Sequence, residues 1–306
     1  MMTVTKSKLF FMKWISLFST IRVYNIIVLI VAQYLASIFM LSQEKPWDVI
    51  FDEQLLILVL ASSLSVASGY IINSFYDSKK DLINRPKKTL LDRLVSQKTK
   101  LNVYFGINFL VFLLSFLISW RAVLFFSFYI FVIWFYSHKV KKYTFIGNLY
   151  AALLAVLPFF AILLYYKNFD KIIFVHAFLV YLLILIRELM KDLVNITGDL
   201  TLGYQTVPVV YGEKKAKSLI TLFSLLTGVP IYFLIQYTNI GFLYLYFYFA
   251  FGLLLLMMIV LWNSEHRKTY LVVYNILKMI ILIGILSVIL IQPRWVYTLE
   301  SFLGIK

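Results

Sequence analysis

Nine apolar segments, each long enough to cross a lipid bilayer, constrain this 306-residue chain more than any other feature. A membrane-spanning helix needs about 20 mostly apolar residues, and its backbone polar groups must be paired within the protein. The predicted spans are residues 23–41, 55–75, 103–120, 122–136, 146–166, 173–190, 218–237, 241–262 and 270–292. Only 14% of the residues are charged, too few to cover the exterior of a soluble protein. The expected fold is all-α, an integral membrane bundle of nine transmembrane helices.

The charges between the spans predict the topology. Alternate connections are rich in lysine and arginine, including two long predicted loops, residues 76–101 and 191–217. The positive-inside rule places these connections in the cytoplasm, together with the N-terminus. The net charge of +15 is then explained by topology and anionic lipid headgroups, with no nucleic-acid partner. We expect a multi-pass protein of a bacterial- or archaeal-type inner or cell membrane, with a cytoplasmic active site.

The chain is expected to contain a single membrane domain, residues 21–293. Residues 1–20 are predicted to form an N-terminal interfacial segment, because lysines interrupt its apolar residues and leave no signal-peptide core. Residues 294–306 would be a short C-terminal tail. Cysteine is absent, which excludes disulfides and thiolate metal sites.

Two polar segments at the ends of predicted spans carry acidic and amide side chains at helical spacing. The first acidic row is Asn73, Asp77 and Asp81, and the second acidic row is Asp192, Asn195 and Asp199. Spacings of four, and of three then four, place each row on one helical face if the segments are helical. Carboxylates one turn apart repel each other unless a cation lies between them. Acids that merely offset a basic surface would not need this spacing.

These rows suit the chemistry of a diphosphate leaving group. Carboxylate and amide oxygens are ligands that Mg²⁺ accepts, and the metal neutralises the phosphate charge. Nearby lysines add fixed positive charge to the departing group. An aromatic-rich apolar chamber would stabilise the allylic cation and exclude water. We therefore expect a prenyl-transferring enzyme whose central cavity opens to the cytoplasmic side.

Four motifs, in order over residues 19–290, resemble the UbiA superfamily of intramembrane prenyltransferases. They are Arg22-Val23-Tyr24-Asn25; the first acidic row followed by Asn84-Arg85-Pro86; Tyr136-Ser137-His138-Lys139-Val140-Lys141 followed by Gly147-Asn148; and the second acidic row followed by Thr206-Val207-Pro208-Val209. The resemblance implies a nine-span fold and Mg²⁺ as cofactor. Two departures stand out: the family often has aspartate where Ser74 stands, and an acid where Asn195 stands. The second removes one charge from the implied metal site.

The resemblance also implies a role for each matching residue. The metal and diphosphate ligands would be Asn73, Asp77, Asp81, Asp192, Asn195 and Asp199, of which Asp77, Asp81, Asp192 and Asp199 would be catalytic. Contacts to the diphosphate or the acceptor would come from Lys88, Tyr136, Lys139, Lys141 and Lys191, with Arg22 and Asn25 lining the pocket.

The second acidic segment also bears on the identity of the acceptor. Residues 187–192 followed by Gly198-Asp199 look most like the branch that prenylates geranylgeranylglyceryl phosphate. A prenyl diphosphate and a lipophilic acceptor within the bilayer are the expected partners. An aromatic quinone precursor of the hydroxybenzoate or naphthoate type stays open as acceptor. A transporter is disfavoured because transporter acids lie near the bilayer midplane, and the Asp-Gly-x-x-Ala-Arg pattern of CDP-alcohol transferases is absent.

Overall fold

The computed structural model describes residues 6–84, 86–237 and 240–291, and every regular element in these ranges is helical. The side chains of residues 6–10, 87 and 88 lie outside the description. The α-helices are α1 (Lys6–Ile21), α2 (Val23–Ala36), α3 (Pro46–Ile50), α4 (Glu53–Tyr76), α5 (Ser78–Asn84), α6 (Pro86–Asp92), α7 (Gln97–Ile118), α8 (Trp120–His138), α9 (Ile146–Tyr166), α10 (Lys171–Thr201), α11 (Val207–Leu226), α12 (Gly228–Ile235), α13 (Tyr244–Trp262) and α14 (Arg267–Ser287).

Nine helical segments within the described ranges are long and apolar enough to cross a membrane, which confirms the predicted fold class. They are Val23–Leu41, Glu53–Tyr76, Gln97–Ile118, Trp120–Lys142, Ile146–Tyr166, Lys171–Thr201, Val207–Ile235, Leu243–Trp262 and Arg267–Leu290. The first span ends in a π-helical turn, Ser37–Leu41. The seventh joins α11 to α12 and is interrupted at Gly212, whose φ of +82° is readily available only to glycine.

Both segments predicted as long loops are mostly helical, and this part of the prediction was wrong. The segment 76–101 contains α5 and α6, with Pro86 at the first position of α6. In the segment 191–217, α10 continues to Thr201 and α11 begins at Val207, so only residues 202–206 connect them. The helix continues past the apolar run because its polar side chains are buried against partners on other helices, as described below.

The hydrophobic core has two main parts. One lies around α4, α7 and α8, and the other lies around α10, α11, α13 and α14. Helix α9 packs against α10 through Ala152 and Val156, which contact Ile184 and Leu185. Helix α1 packs on α4 and α6. Its interfacial location stays a prediction, and the predicted tail 294–306 lies outside the described residues.

A proline inside α9 shows how the bundle satisfies backbone groups away from water. Pro158 has no N–H, so the carbonyl of Leu154 lacks its normal helical donor. The Tyr129 hydroxyl of α8 donates to that carbonyl at 2.9 Å, and Gln33 Nε2 of α2 donates to the Pro158 carbonyl at 3.1 Å. Because unpaired backbone groups are costly in lipid, these bonds fix α2 and α8 against α9.

We predict that Tyr129→Phe destabilises the protein by about 1–3 kcal/mol, because it leaves a buried carbonyl without a donor. In a Pro158→Ala background the same change should cost less, since alanine at that position supplies a backbone N–H that can bond the Leu154 carbonyl. Unfolding in detergent micelles measures both effects. Tyr150→Phe, on the exposed side of α9, is the matched control. Equal losses in the two tyrosine variants would contradict this account.

Candidate active site

A cavity of about 920 Å³ occupies the centre of the bundle. Helices α2, α4, α8, α9, α10 and α14 contribute to its wall. Lining residues of α4 and its C-cap run from Val66 to Asp77, and those of α10 run from Ile173 to Asn195. The second stretch corresponds to an axial length of about 33 Å. Since both stretches end at an acidic row, one end of the cavity is polar and its depth is mainly apolar.

The first acidic row follows α4 into α5 without loss of helical bonding. The N–H of Asp77 donates to the Asn73 carbonyl, and the N–H of Asp81 donates to the Asp77 carbonyl, each at 2.9 Å. All three side chains line the cavity. The period of four seen in the sequence therefore corresponds to one continuous polar edge.

Lys141 brings the end of α8 to this row. Its ammonium donates to Asp77 Oδ1 at 2.7 Å and to Asn73 Oδ1 at 3.2 Å. The Tyr204 hydroxyl also donates to Asp77 Oδ1, at 3.0 Å. The backbone around Gly147 approaches Lys141 so closely that a Cβ atom at this glycine would lie 3.1 Å from the Lys141 carbonyl oxygen. The predicted substrate contact Lys141 is thus held at the row by its own short turn.

These contacts set the protonation of the groups at the end of α4. Burial alone would raise the pKa of the Asp77 carboxyl, but the charges of Lys141 and Lys80 and the donated hydrogen bonds lower it below its ordinary value. Burial, followed by the negative charge of Asp77, raises the pKa of Tyr204. At neutral pH, Asp77 is therefore ionised and Tyr204 keeps its proton, which makes the tyrosine a hydrogen-bond donor.

The second acidic row is more deeply buried than the first. Asp192 and Asn195 line the cavity, and Asp192 Oδ2 accepts a hydrogen bond of 2.7 Å from Asn148 Nδ2. Asp199 is fully buried, does not line the cavity, and forms an ion pair of 2.5 Å with Lys80. The structure thus brings two members of this row to the cavity and places the third behind them.

Two further contacts join α5 to the end of α10 and to the connection that follows it. The Lys80 ammonium also lies over the Tyr204 ring, 4.3 Å from its centroid. Asn84 Oδ1 accepts a hydrogen bond of 3.2 Å from the backbone N–H of Gly198. A Cβ atom at Gly198 would overlap the Asn84 side chain, so only glycine allows this approach. These contacts set the distance between the acidic rows.

Helix α2 closes another side of the cavity. Arg22 has a left-handed backbone conformation, with φ of 58°, which separates α1 from α2. Its guanidinium lies 5.0 Å from the centroid of the Tyr70 ring, and Asn25 Nδ2 donates to the Tyr70 hydroxyl at 3.1 Å. Both predicted residues line the cavity, as do Tyr136 and Lys191.

Two predicted substrate contacts are not brought to the cavity by the described structure. Lys139 is exposed and does not line it. The side chain of Lys88 lies outside the described residues. Four partners of the acidic rows were not assigned a role from the sequence: Lys80, Asn84, Asn148 and Tyr204. Asn84 and Asn148 are part of the motifs that resemble the family, so the sequence could have identified both as site residues. Nothing in the sequence distinguished Lys80 from the other lysines that indicate the membrane topology.

Comparison with known proteins agrees with this architecture. The profile described as the UbiA prenyltransferase family matches residues 29–282, most of the chain. The chain belongs to the UbiA prenyltransferase family. The nine spans and the cavity with its acidic rows are therefore those of a member of a prenyltransferase family.

Curated members of the family with similar sequences include archaeal digeranylgeranylglyceryl phosphate synthases. The one from Pyrococcus horikoshii is 31% identical over 179 residues, 57% of this chain and 63% of the relative. The one from Thermococcus gammatolerans is 33% identical over 181 residues, 58% of this chain and 64% of the relative. The matched segment thus spans less than two thirds of the length of either relative.

Solved structures of the family share the fold. A structure reported for digeranylgeranylglyceryl phosphate synthase in membranes covers 90% of this chain and 97% of its own, with a TM-score of 0.68 and 24% identity. A UbiA homologue from Archaeoglobus fulgidus bound to GPP and Mg²⁺ covers 90% of this chain and 98% of its own, with a TM-score of 0.65 and 14% identity.

We predict that Gly198→Ala lowers the stability of the protein relative to Gly252→Ala, because both changes gain the helix propensity of alanine but only the first forces the Asn84 amide away from the Gly198 N–H. Thermal unfolding in detergent measures the loss. Gly252→Ala is the matched control, since a Cβ atom there meets no atom within 4 Å. In the double variant with Asn84→Ala the overlap disappears, so the combined loss should be smaller than the sum of the single losses. An additive result would refute the close contact.

Proposed function

We propose that this chain catalyses Mg²⁺-dependent transfer of a prenyl group from an isoprenoid diphosphate to geranylgeranylglyceryl phosphate. The observation that carries the proposal is the position of both acidic rows at one end of a long apolar cavity. The acceptor is supported by the similarity to digeranylgeranylglyceryl phosphate synthases. It is further supported by the basic residues of the cavity wall.

The residues of the two rows fit Mg²⁺. Among the described residues, no three acidic or histidine side chains are close enough to hold a metal by themselves. Mg²⁺ is commonly held by one or two carboxylates together with substrate phosphates, so a diphosphate would complete its coordination. The Lys141 ammonium already draws Asn73 Oδ1 and Asp77 Oδ1 toward one cation. We propose Asn73, Asp77, Asp81, Asp192 and Asn195 as ligands. Bound there, Mg²⁺ would neutralise the charge of the leaving diphosphate.

The side chains of the polar end would also act on the diphosphate directly. Lys80, Lys141 and Lys191 line this end and offer positive charge that stays in place as pyrophosphate departs. Tyr204, whose hydroxyl donates to Asp77, would hold that carboxylate in position. Asp199, behind the lining, would hold Lys80 in position through its ion pair. We propose this indirect role for Asp199 in place of direct metal ligation.

The apolar depth of the cavity would hold the isoprenoid chain. Its wall includes Tyr129, Phe159 and Phe247, whose rings stabilise an allylic cation more than water-exposed surfaces do. In the reaction, the bond between the prenyl C1 and the diphosphate oxygen breaks, and pyrophosphate leaves with the electron pair. The acceptor hydroxyl oxygen bonds to C1 and releases its proton, which the departing pyrophosphate takes up. We propose that this reaction takes place on the cytoplasmic side, because the lysine-rich connections adjoin the polar end.

We predict that Asp77→Ala and Asp192→Ala each lower the rate of pyrophosphate release by at least about 100-fold, because each removes a ligand of the Mg²⁺ that would neutralise the leaving group. The assay contains purified protein, Mg²⁺, geranylgeranyl diphosphate and geranylgeranylglyceryl phosphate. The mass of the product identifies the transfer. Asp48→Ala, at an exposed acid of α3, is the matched control and should retain activity. Normal turnover in both site variants would defeat the proposal.

We further predict that EDTA abolishes transfer and that added Mg²⁺ restores it. Geranylgeranyl diphosphate should raise the thermal unfolding midpoint only when Mg²⁺ is present, because the metal links the diphosphate to the acidic rows. The Asp77→Ala protein should lose this stabilisation. Equal stabilisation with and without metal would show that the diphosphate binds to the lysines alone.

A further inference from the structure

A group of cations lies deeper in the cavity than the acidic rows. Arg187 on α10 and Lys278 on α14 both line the cavity. The Lys278 ammonium lies 4.4 Å from the centroid of the Tyr274 ring. Tyr70 and Tyr274 line the cavity as well. None of the proposed metal and diphosphate contacts uses Arg187 or Lys278.

A charged side chain at the position of Lys278 costs free energy in a membrane. It lies near the middle of the ninth span, Arg267–Leu290, eleven positions after the start of that helix. This separation corresponds to about 16 Å of helix, too far for the ammonium to reach the headgroup region on that side. Lys278 has no ion pair in the part of the chain that the structure describes. Charged residues inside a span usually face a functional cavity, and Lys278, although exposed, is among the residues that line this one.

Arg187 is only partly neutralised by its neighbour. Its Nη2 atom donates to Glu188 Oε1 at 2.8 Å, but the same carboxylate also accepts from Lys191. One negative charge is therefore shared between two cations. Arg187 Nε is buried and has no hydrogen-bond partner among the described residues. With Lys278, the group keeps a net positive charge and unused donors.

We propose that Arg187 and Lys278 form an anion-binding subsite for the phosphate of the acceptor lipid, separate from the diphosphate site. The inference rests on the proposed function and names the part of the acceptor that is recognised. Arginine binds phosphate oxygens through a planar fork of donors, and lysine adds a point charge. The Tyr274 ring, which contacts the Lys278 ammonium, would hold that cation beside the bound anion.

The spacing along α10 suits such an acceptor. Arg187 precedes Asp192 by five residues, which corresponds to an axial rise of about 7.5 Å. In geranylgeranylglyceryl phosphate the free hydroxyl and the phosphate are on neighbouring carbons. A phosphate at Arg187 would therefore place the hydroxyl between this subsite and the diphosphate held at the acidic row. An acceptor without a negative charge would leave Lys278 with no counter-charge from the described residues, and Arg187 would only share the charge of Glu188 with Lys191.

The test measures acceptor kinetics of Lys278→Met and Arg187→Met in the full-length protein. Each change should raise the KM for geranylgeranylglyceryl phosphate by at least about tenfold, as expected for a lost charge-assisted bond. In Lys278→Met the KM for geranylgeranyl diphosphate should stay the same, and Lys278→Arg should keep most of the acceptor affinity. Lys268→Met, an exposed lysine of the same helix that does not line the cavity, is the matched control.

A second arm uses the unaltered protein and so does not depend on how the variants fold. Wild type should prefer geranylgeranylglyceryl phosphate to geranylgeranylglycerol by at least about tenfold in kcat/KM. Glycerol phosphate without a lipid chain should be a poor acceptor. An unchanged acceptor KM in both methionine variants, or equal use of the two lipids, would overturn the subsite. Absence of transfer from wild type to any acceptor would instead overturn the proposed function.

Discussion

Buried charge on the acidic rows is the constraint on which the rest of this bundle depends. A carboxylate in an apolar interior costs free energy unless a partner compensates it. Lys141 crosses from the end of α8 to Asp77, and Lys80 crosses from α5 to Asp199. Asn148 crosses from α9 to Asp192. Each partner comes from a segment distant in sequence, so satisfying the acids also draws α5, α8, α9 and α10 around one end of the cavity.

The same constraint divides the cavity into regions with different chemistry. Carboxylates, amides and lysines are concentrated where α4 and α10 leave their apolar runs, while deeper positions are mostly aliphatic and aromatic. A charged leaving group and a reactive carbocation need opposite surroundings, one polar and one dry. Helices that end in polar rows supply both within one molecule. Arg187 and Lys278 are charged residues in the deeper part. Their position is the reason for proposing that a second anion binds there.

The sequence predicted the spans well because lipid imposes a simple requirement on every helix. The predicted spans 23–41 and 146–166 agree with the observed segments at both ends. The prediction failed where polar residues continue a helix, as in residues 191–201 of α10. Polarity suggested a solvated loop there, but Asp192 and Asp199 are buried against Asn148 and Lys80, and the backbone N–H of Gly198 bonds Asn84. Local composition cannot distinguish water from a buried polar partner.

The sequence by itself determined the number of spans, the two acidic rows and the family resemblance, since these depend on hydropathy and on spacing along one helix. Only the tertiary structure decided how the rows are used. It brings Lys141 to the cavity and leaves Lys139 exposed, although the two are only two positions apart, because a short turn after α8 reverses the direction of the chain. It also places Asp199 behind the cavity wall. Which side chains meet across helices depends on helix packing, and packing joins residues that no local pattern relates.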